Sequence, residues 1–157
     1  MLNKERQEEV VELCQHLIQK QSYSGHEDGV AGVLEEQLKK KGFDSVTVDK
    51  YGNVIGCIKG NRPGKKILFD GHIDTVPVTD ETEWQYPPFA AEIHDGKIYG
   101  RGTSDMKGAV AGFVTAAAAF AEDTKKDFAG EIYVAGVVHE ECFEGVAARE
   151  ISNFVKP

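Results

Sequence analysis

Five side chains in this sequence could carry out hydrolysis together: His72, Asp74, Asp105, Glu140 and Glu141. His72 and Asp74 stand two apart in Gly71-His72-Ile73-Asp74-Thr75-Val76-Pro77, so in extended backbone both side chains face the same way. A neutral imidazole ligates zinc well, and a neighbouring carboxylate can take its second N–H and fix its orientation. Alone, His-x-Asp also fits an ordinary surface loop. Asp105 lies in Gly100-Arg101-Gly102-Thr103-Ser104-Asp105-Met106-Lys107-Gly108, where glycine permits tight backbone and close approach to a ligand. Its two oxygens could bridge two metal ions. A Gly-rich loop before a helix also suggests phosphate binding, although the Gly-Lys-Ser/Thr ending of a phosphate loop is lacking. Helix capping by Ser104 or Asp105 is a third reading. Glu140 and Glu141 are adjacent, so in an extended chain they diverge. One can bind metal while the other faces water, the division between Lewis acid and general base that a metal hydrolase needs. Two solvated glutamates remain the alternative.

The elements that must position these groups follow from periodicity. Val10, Leu13, Cys14, Leu17 and Ile18 mark one face of a helix over about 3–20, and Val30, Val33, Leu34 and Leu38 a second one closed by Gly42. Between them, residues 22–28 read as a polar connector. Strands are predicted at 43–49 and 54–58, turned by Gly52-Asn53, and at 131–138. The run Ile67-Leu68-Phe69 predicts a strand buried on both faces. Residues 75–90 form a long loop of the kind that carries function, and Asp95-Gly96 turns a hairpin within 91–99. An Ala-rich helix follows Gly108, and a last helix covers 146–155. Helices alternating with strands imply a layered α/β/α domain with a mixed, mainly parallel sheet. His72, Asp105 and Glu140 fall at or after strand ends, where ligands gather in such sheets. The separations, 33 residues from His72 to Asp105 and 35 from there to Glu140, let each follow a different strand.

Composition sets bounds. The 157 residues suffice for one core, and the net charge of −8 argues against nucleic-acid partners. The charged start is unlike a signal peptide, and the apolar run 109–121 is too short to span a bilayer, which predicts neither export nor membrane association. Cys14, Cys57 and Cys142 are scattered and odd in number, which predicts free packed thiols and a cytoplasmic location.

Taken together and in this order, Gly71–Pro77, Gly100–Gly108 and Glu140-Glu141 make nearly the whole chain resemble the co-catalytic zinc hydrolases that include acetylornithine deacetylase, succinyl-diaminopimelate desuccinylase, aminoacylase and carboxypeptidase G. Gly100–Asp105 and His139–Cys142 are also similar to a branch linked to selenium metabolism and purine-related gene clusters. The resemblance implies His72 as a ligand of one zinc, Asp74 as its orienting carboxylate, Asp105 as the bridge and often the start of a cis peptide, Glu140 as general base and Glu141 as a ligand of the second zinc. Cobalt or manganese would suit the same donors. The implied reaction is amide hydrolysis in N-acyl amino acids or small peptides; a non-catalytic metal-binding or interaction module of the same half-fold is the alternative. The family also implies what is missing. A further carboxylate ligand, a late histidine and a lid or dimerisation domain have no counterpart, because 16 residues follow Glu141, Glu144 and Glu150 lie too near, and no histidine follows His139. Residues 1–157 would then be the N-terminal part of the catalytic domain, with its C-terminal part absent. Missing strands would leave an apolar sheet edge through which the chain could associate, for example as a homo-oligomer. His26, His94 and His139 are the histidines that could compensate, each with a surface role as the plainer reading.

Overall fold

The computed structural model describes residues 3–142 and 145–157; the Glu144 reading lies outside these. The first helix, α1 (Lys4–Ile18), starts where Asn3 Oδ1 accepts from the Arg6 amide at 2.9 Å, and it buries Leu13, Cys14, Leu17 and Ile18 as the spacing predicts. The second, α2 (Asp28–Lys40), buries Val30, Ala31, Leu34 and Leu38, and Gly42 (φ +77°) turns the chain after it.

Strands β1 (Ser45–Val48), β2 (Val54–Lys59), β3 (Arg62–His72) and β6 (Ala129–Val137) form one sheet in the order β1-β2-β6-β3. The sheet is mixed, as expected. It is not mainly parallel among the described residues: β3–β6 is parallel, while β1–β2 and β2–β6 are antiparallel. Helix α3 (Gly108–Thr124) makes the crossover between β3 and β6. The short strands β4 (Glu92–His94) and β5 (Lys97–Tyr99) form the expected hairpin, with Asp95 and Gly96 both at positive φ.

Helices cover both faces of the sheet. Gly56 lies against Phe43 and Leu38, Gly136 against Leu34, and Phe69 stacks on Phe113 of α3, so α2 and α3 share a face. On the other face, Val155 at the end of α4 (Val146–Val155) accepts from Lys66 Nζ at 2.8 Å. A Cβ at Gly136 would meet Leu34 Cδ2 at 2.4 Å, so a side chain there would force Leu34 of α2 to shift.

One strand differs from expectation. Strand β3 is an edge strand, and Ile67 and Phe69 are 49% and 42% exposed instead of buried on both faces. They line an open apolar groove of about 470 Å³ with Phe113, Phe120, Phe128 and Ile132. The apolar run is real, but no further strand covers it among the described residues. Cys14 and Cys57 are buried free thiols, whereas Cys142 is exposed. Among the described residues, no helix is long and apolar enough to cross a membrane.

Candidate active site

Parallel pairing brings the carboxyl ends of β3 and β6 side by side, with His72 opposite Val137. The pairing runs one step further, because the Ile73 amide donates to the Val137 carbonyl at 2.8 Å. His72 and Asp74 are thereby placed beside the turn that carries Glu140 and Glu141.

Asp74 is fully buried at the centre of this arrangement. Its Oδ1 accepts from the Glu140 amide at 3.2 Å, and its Oδ2 accepts from the Glu141 amide at 3.1 Å and from Ser24 Oγ at 2.7 Å. The nearest acceptor to His72 Nδ1 is the main-chain carbonyl of Asp74 at 3.0 Å; the carboxylate oxygen Oδ1 stands at 3.5 Å. Asp74 therefore reaches both halves of the site. Burial would raise its carboxyl, but the bonds from His72, Ser24 and the two amides outweigh this and hold it below the usual carboxylate range. His72 Nε2 points the other way, 2.8 Å from Asp105 Oδ1 and 3.9 Å from Glu140 Oε2. Asp74 beside the ring and then Asp105 push His72 up to about 9, against the effect of its burial.

Asp105 is delivered by a tight turn. Gly102 has φ +85°, and a Cβ there would stand 2.8 Å from Thr75 Cγ2, so glycine satisfies both the conformation and the close approach. Asp105 and Met106 leave helical geometry within the turn, and the peptide between them is cis, as the resemblance implies. The Asp105 side chain projects into solvent at 77% exposure, and Glu140 at 58%. The capping reading of the loop has no counterpart, because α3 has no side-chain cap bond.

Two residues after Asp105, Lys107 is fully buried, a feature the sequence reading missed. Its Nζ donates to the carbonyls of Leu17 at 2.9 Å and Lys20 at 2.8 Å. Those carbonyls close α1, where the helix dipole favours a cation. Burial pushes the amine down to about 8. The turn that carries Asp105 is thus pinned to the end of α1 from beneath.

His72, Asp105 and Glu141 each offer a ligand atom, and all three atoms lie within 4.8 Å of one another. One imidazole nitrogen with carboxylate oxygens is a donor set that fits zinc and also admits cobalt or manganese. The other candidate histidines offer no atom to this cluster. His94 stacks on Tyr86 at 3.8 Å and bonds Glu92, His26 is exposed, and His139 meets the fold through its main chain. Glu150 pairs with Lys50 at 3.7 Å, away from the cluster.

A mixed sheet bearing this cluster at its strand ends is the architecture of a metallopeptidase catalytic domain. The chain belongs to peptidase family M20/M25/M40, which matches residues 68–154. The succinyl-diaminopimelate desuccinylase of Beijerinckia indica subsp. indica is 39% identical over 132 residues, 80% of this chain and 34% of that protein. The desuccinylase of Roseobacter denitrificans is 36% identical over 140 residues, 88% of this chain and 37% of that protein. The M20 family metallo-carboxypeptidase Sso-CP2 from Sulfolobus solfataricus has a TM-score of 0.78 at 24% identity, over 92% of this chain and 33% of that one. The Bacillus subtilis YXEP protein, described as a dinuclear metal binding peptidase, has a TM-score of 0.71 at 18% identity, over 97% of this chain and 40% of that one. These two structures show the fold. The chain spans roughly a third of the length of the curated relatives it matches.

Proposed function

We propose that the chain carries the front part of a two-metal site that hydrolyses the amide bond of N-acyl amino acids or small peptides. The observation that carries this reading is the convergence of His72, Asp105 and Glu141 donor atoms within 4.8 Å, with Glu140 beside them. His72, Asp105 and Glu141 would hold the metal, zinc in this proposal, with Asp105 offering an oxygen to each of two ions. A divalent metal held here would supply a lowered pKa for water and polarisation of a carbonyl. Glu140 faces solvent while its amide is tied to Asp74, so its carboxylate can take a proton from water and return it to the departing amine. Asp74 orients the ring of His72 and fixes the main chain of both glutamates.

Residues 1–157 are proposed as the N-terminal part of the catalytic domain, with the remaining ligands and the lid lying outside it; the one-third share of the desuccinylases supports this. A cytoplasmic location and the absence of nucleic-acid and membrane partners belong to the same proposal, supported by the free thiols and the acidic charge. Measuring zinc per chain, and turnover of N-acyl amino acids and dipeptides by a longer chain containing residues 1–157, tests it, with at least one ion per chain and turnover by the longer chain expected. Stoichiometric metal without turnover would favour a second reading, a non-catalytic metal-binding or interaction module. That reading draws on the same three-residue cluster, which suffices to hold an ion. Neither metal in this chain nor turnover by the longer one would sink both, whereas turnover by the longer chain alone would make residues 1–157 an inert fragment of the site.

The charge state of His72 gives a pH prediction. Its folded value, about 9, is above the ordinary 6.5, so its contribution to the stability of the metal-free chain is full below pH 6.5 and is lost as pH rises through 9. Metal must displace that proton, so zinc affinity should rise about tenfold per pH unit between pH 6.5 and 8.5. Chelator competition across that range checks it; a flat profile would show that metal displaces no proton from His72 in that range.

The exposed β3 edge supports self-association as the mode of oligomerisation. Edge strands with apolar side chains pair readily, and a lysine there opposes pairing. Phe69→Lys should convert an associated chain to monomer, read by light scattering. A wild-type chain that is already monomeric at tens of micromolar would refute this assignment.

A further inference from the structure

The main chain that carries the two glutamates is held by side chains, not by a strand partner. Beyond β6, four consecutive amides each donate to a side-chain oxygen: Val138 to Asn53 Oδ1 at 3.0 Å, His139 to Glu27 Oε1 at 3.1 Å, Glu140 to Asp74 Oδ1 at 3.2 Å and Glu141 to Asp74 Oδ2 at 3.1 Å. Three distant segments therefore meet on one turn. His139 takes φ +59°, the left-handed region that a non-glycine residue seldom enters. Successive amides turned toward one side form a concave donor array that suits anionic acceptors.

Glu27 is the member of this set that no motif points to. It is a buried carboxylate, only 6% exposed, at the position just before α2. There a short polar side chain (Ser, Thr, Asp or Asn) would ordinarily bond to the first amides of the helix. Glu27 makes no such cap bond, and its Oε1 reaches His139, 112 residues away in sequence. The flanking connector is anchored in the same direction. Ser22 Oγ donates to the Ile73 carbonyl at 2.7 Å, the Thr75 amide donates to the Ser22 carbonyl at 2.9 Å, and Ser24 Oγ reaches Asp74. The segment between α1 and α2 thus braces the end of β3 and the turn after β6 against each other.

We propose that Glu27 is a positioning residue of the metal site. By holding the His139 amide it sets the direction in which the Glu140 and Glu141 carboxylates leave the turn, and hence their approach to His72 and Asp105. This rests on the metal-site reading above.

The test uses the whole chain with Glu27→Ala, Glu27→Asp and Glu27→Gln, and with Asp28→Asn, an exposed neighbour, as control. Two quantities are read: amide hydrogen exchange at residues 139–141, and Co²⁺ binding from its visible absorption. Glu27→Ala and Glu27→Asp should each speed exchange at His139 by about tenfold or more. They should also weaken Co²⁺ binding by about ten- to a hundredfold with an altered spectrum. Glu27→Gln keeps an acceptor oxygen at the same reach and should restore the Co²⁺ spectrum and most of the affinity, which a general loss of stability would not do. If Glu27→Ala does not fold, the Asp and Gln pair decides. Wild-type exchange and Co²⁺ binding in Glu27→Asp, or equal loss in Asp and Gln, overturns the proposal. If the wild type takes up no Co²⁺, the metal reading fails, and exchange at His139 still decides whether Glu27 holds the turn.

Discussion

Asp74→Ala is expected to cost about 3 kcal/mol of folding stability and to reduce zinc affinity by about a hundredfold. The carboxylate is fully buried and its three bonds are part-buried, so water can replace the lost acceptor only in part. The amides of Glu140 and Glu141 and the hydroxyl of Ser24 lose their acceptor together. Each unsatisfied buried donor costs about 1–3 kcal/mol. Against that stands the relief of no longer burying a charge. The three bonds to the carboxylate, with the ring of His72 beside it, set the expected sign, since together they hold Asp74 below the usual carboxylate range in spite of its burial. Asp74→Asn should fail to rescue. Its amide NH₂, placed where Oδ2 now sits, would face the Glu141 N–H donor to donor. In the metal-free chain the His72 pKa should also fall from about 9 toward its ordinary value, since Asp74 is the largest cause raising it. Urea unfolding and an NMR titration of His72 read these effects. Stability within about 0.5 kcal/mol of wild type would refute the assignment of Asp74 as the central acceptor.

The way these residues were legible, or were not, follows from the range of the interactions involved. The helices could be read because their signals are local. The face of α1 repeats every three to four residues, and α4 spans Val146–Val155 as its periodicity predicts. His72, Asp105 and Glu141 could be singled out because their chemistry is carried by residue type and by flanking glycines, and the fold then brings their donor atoms together. The edge position of β3 could not be read from Ile67-Leu68-Phe69. An apolar run reports what a strand could bury, whereas its exposure depends on which strands lie beside it.

The supporting residues were hidden for a related reason. Glu27, Ser22 and Ser24 sit in a polar connector whose composition is that of any loop, and their partners lie 50 to 112 residues away in sequence. Lys107 was visible inside a recognised motif, but nothing local shows that its ammonium closes the end of α1. Asn53 was read as a turn residue, and it is one, since Asp49 accepts from its amide at 3.1 Å. Its carboxamide also holds the Val138 amide, so a turn signal concealed a role in positioning the site.

Glu140→Gln should separate catalysis from metal binding. Its side chain is more than half exposed and stands 3.9 Å from His72 Nε2, beyond hydrogen-bond distance, while its amide is held by Asp74, so the isosteric change should leave stability and zinc stoichiometry nearly unaltered. Turnover should fall by about 10²–10⁴-fold, the range supplied by a positioned general base. Glu141→Gln should give the opposite pattern, with metal affinity lost first and turnover recovered in part at high zinc, because Glu141 belongs to the three-residue cluster and Glu140 does not. The contrast is informative because both residues share the same anchor. Their amides are held by the two oxygens of Asp74, so a difference between the variants cannot come from the main chain and must come from where each carboxylate points. The assay applies to this chain, or to a longer chain containing it, wherever turnover is measurable. A Glu140→Gln variant with wild-type turnover would remove the general-base assignment, and loss of zinc by that variant would make Glu140 a ligand instead.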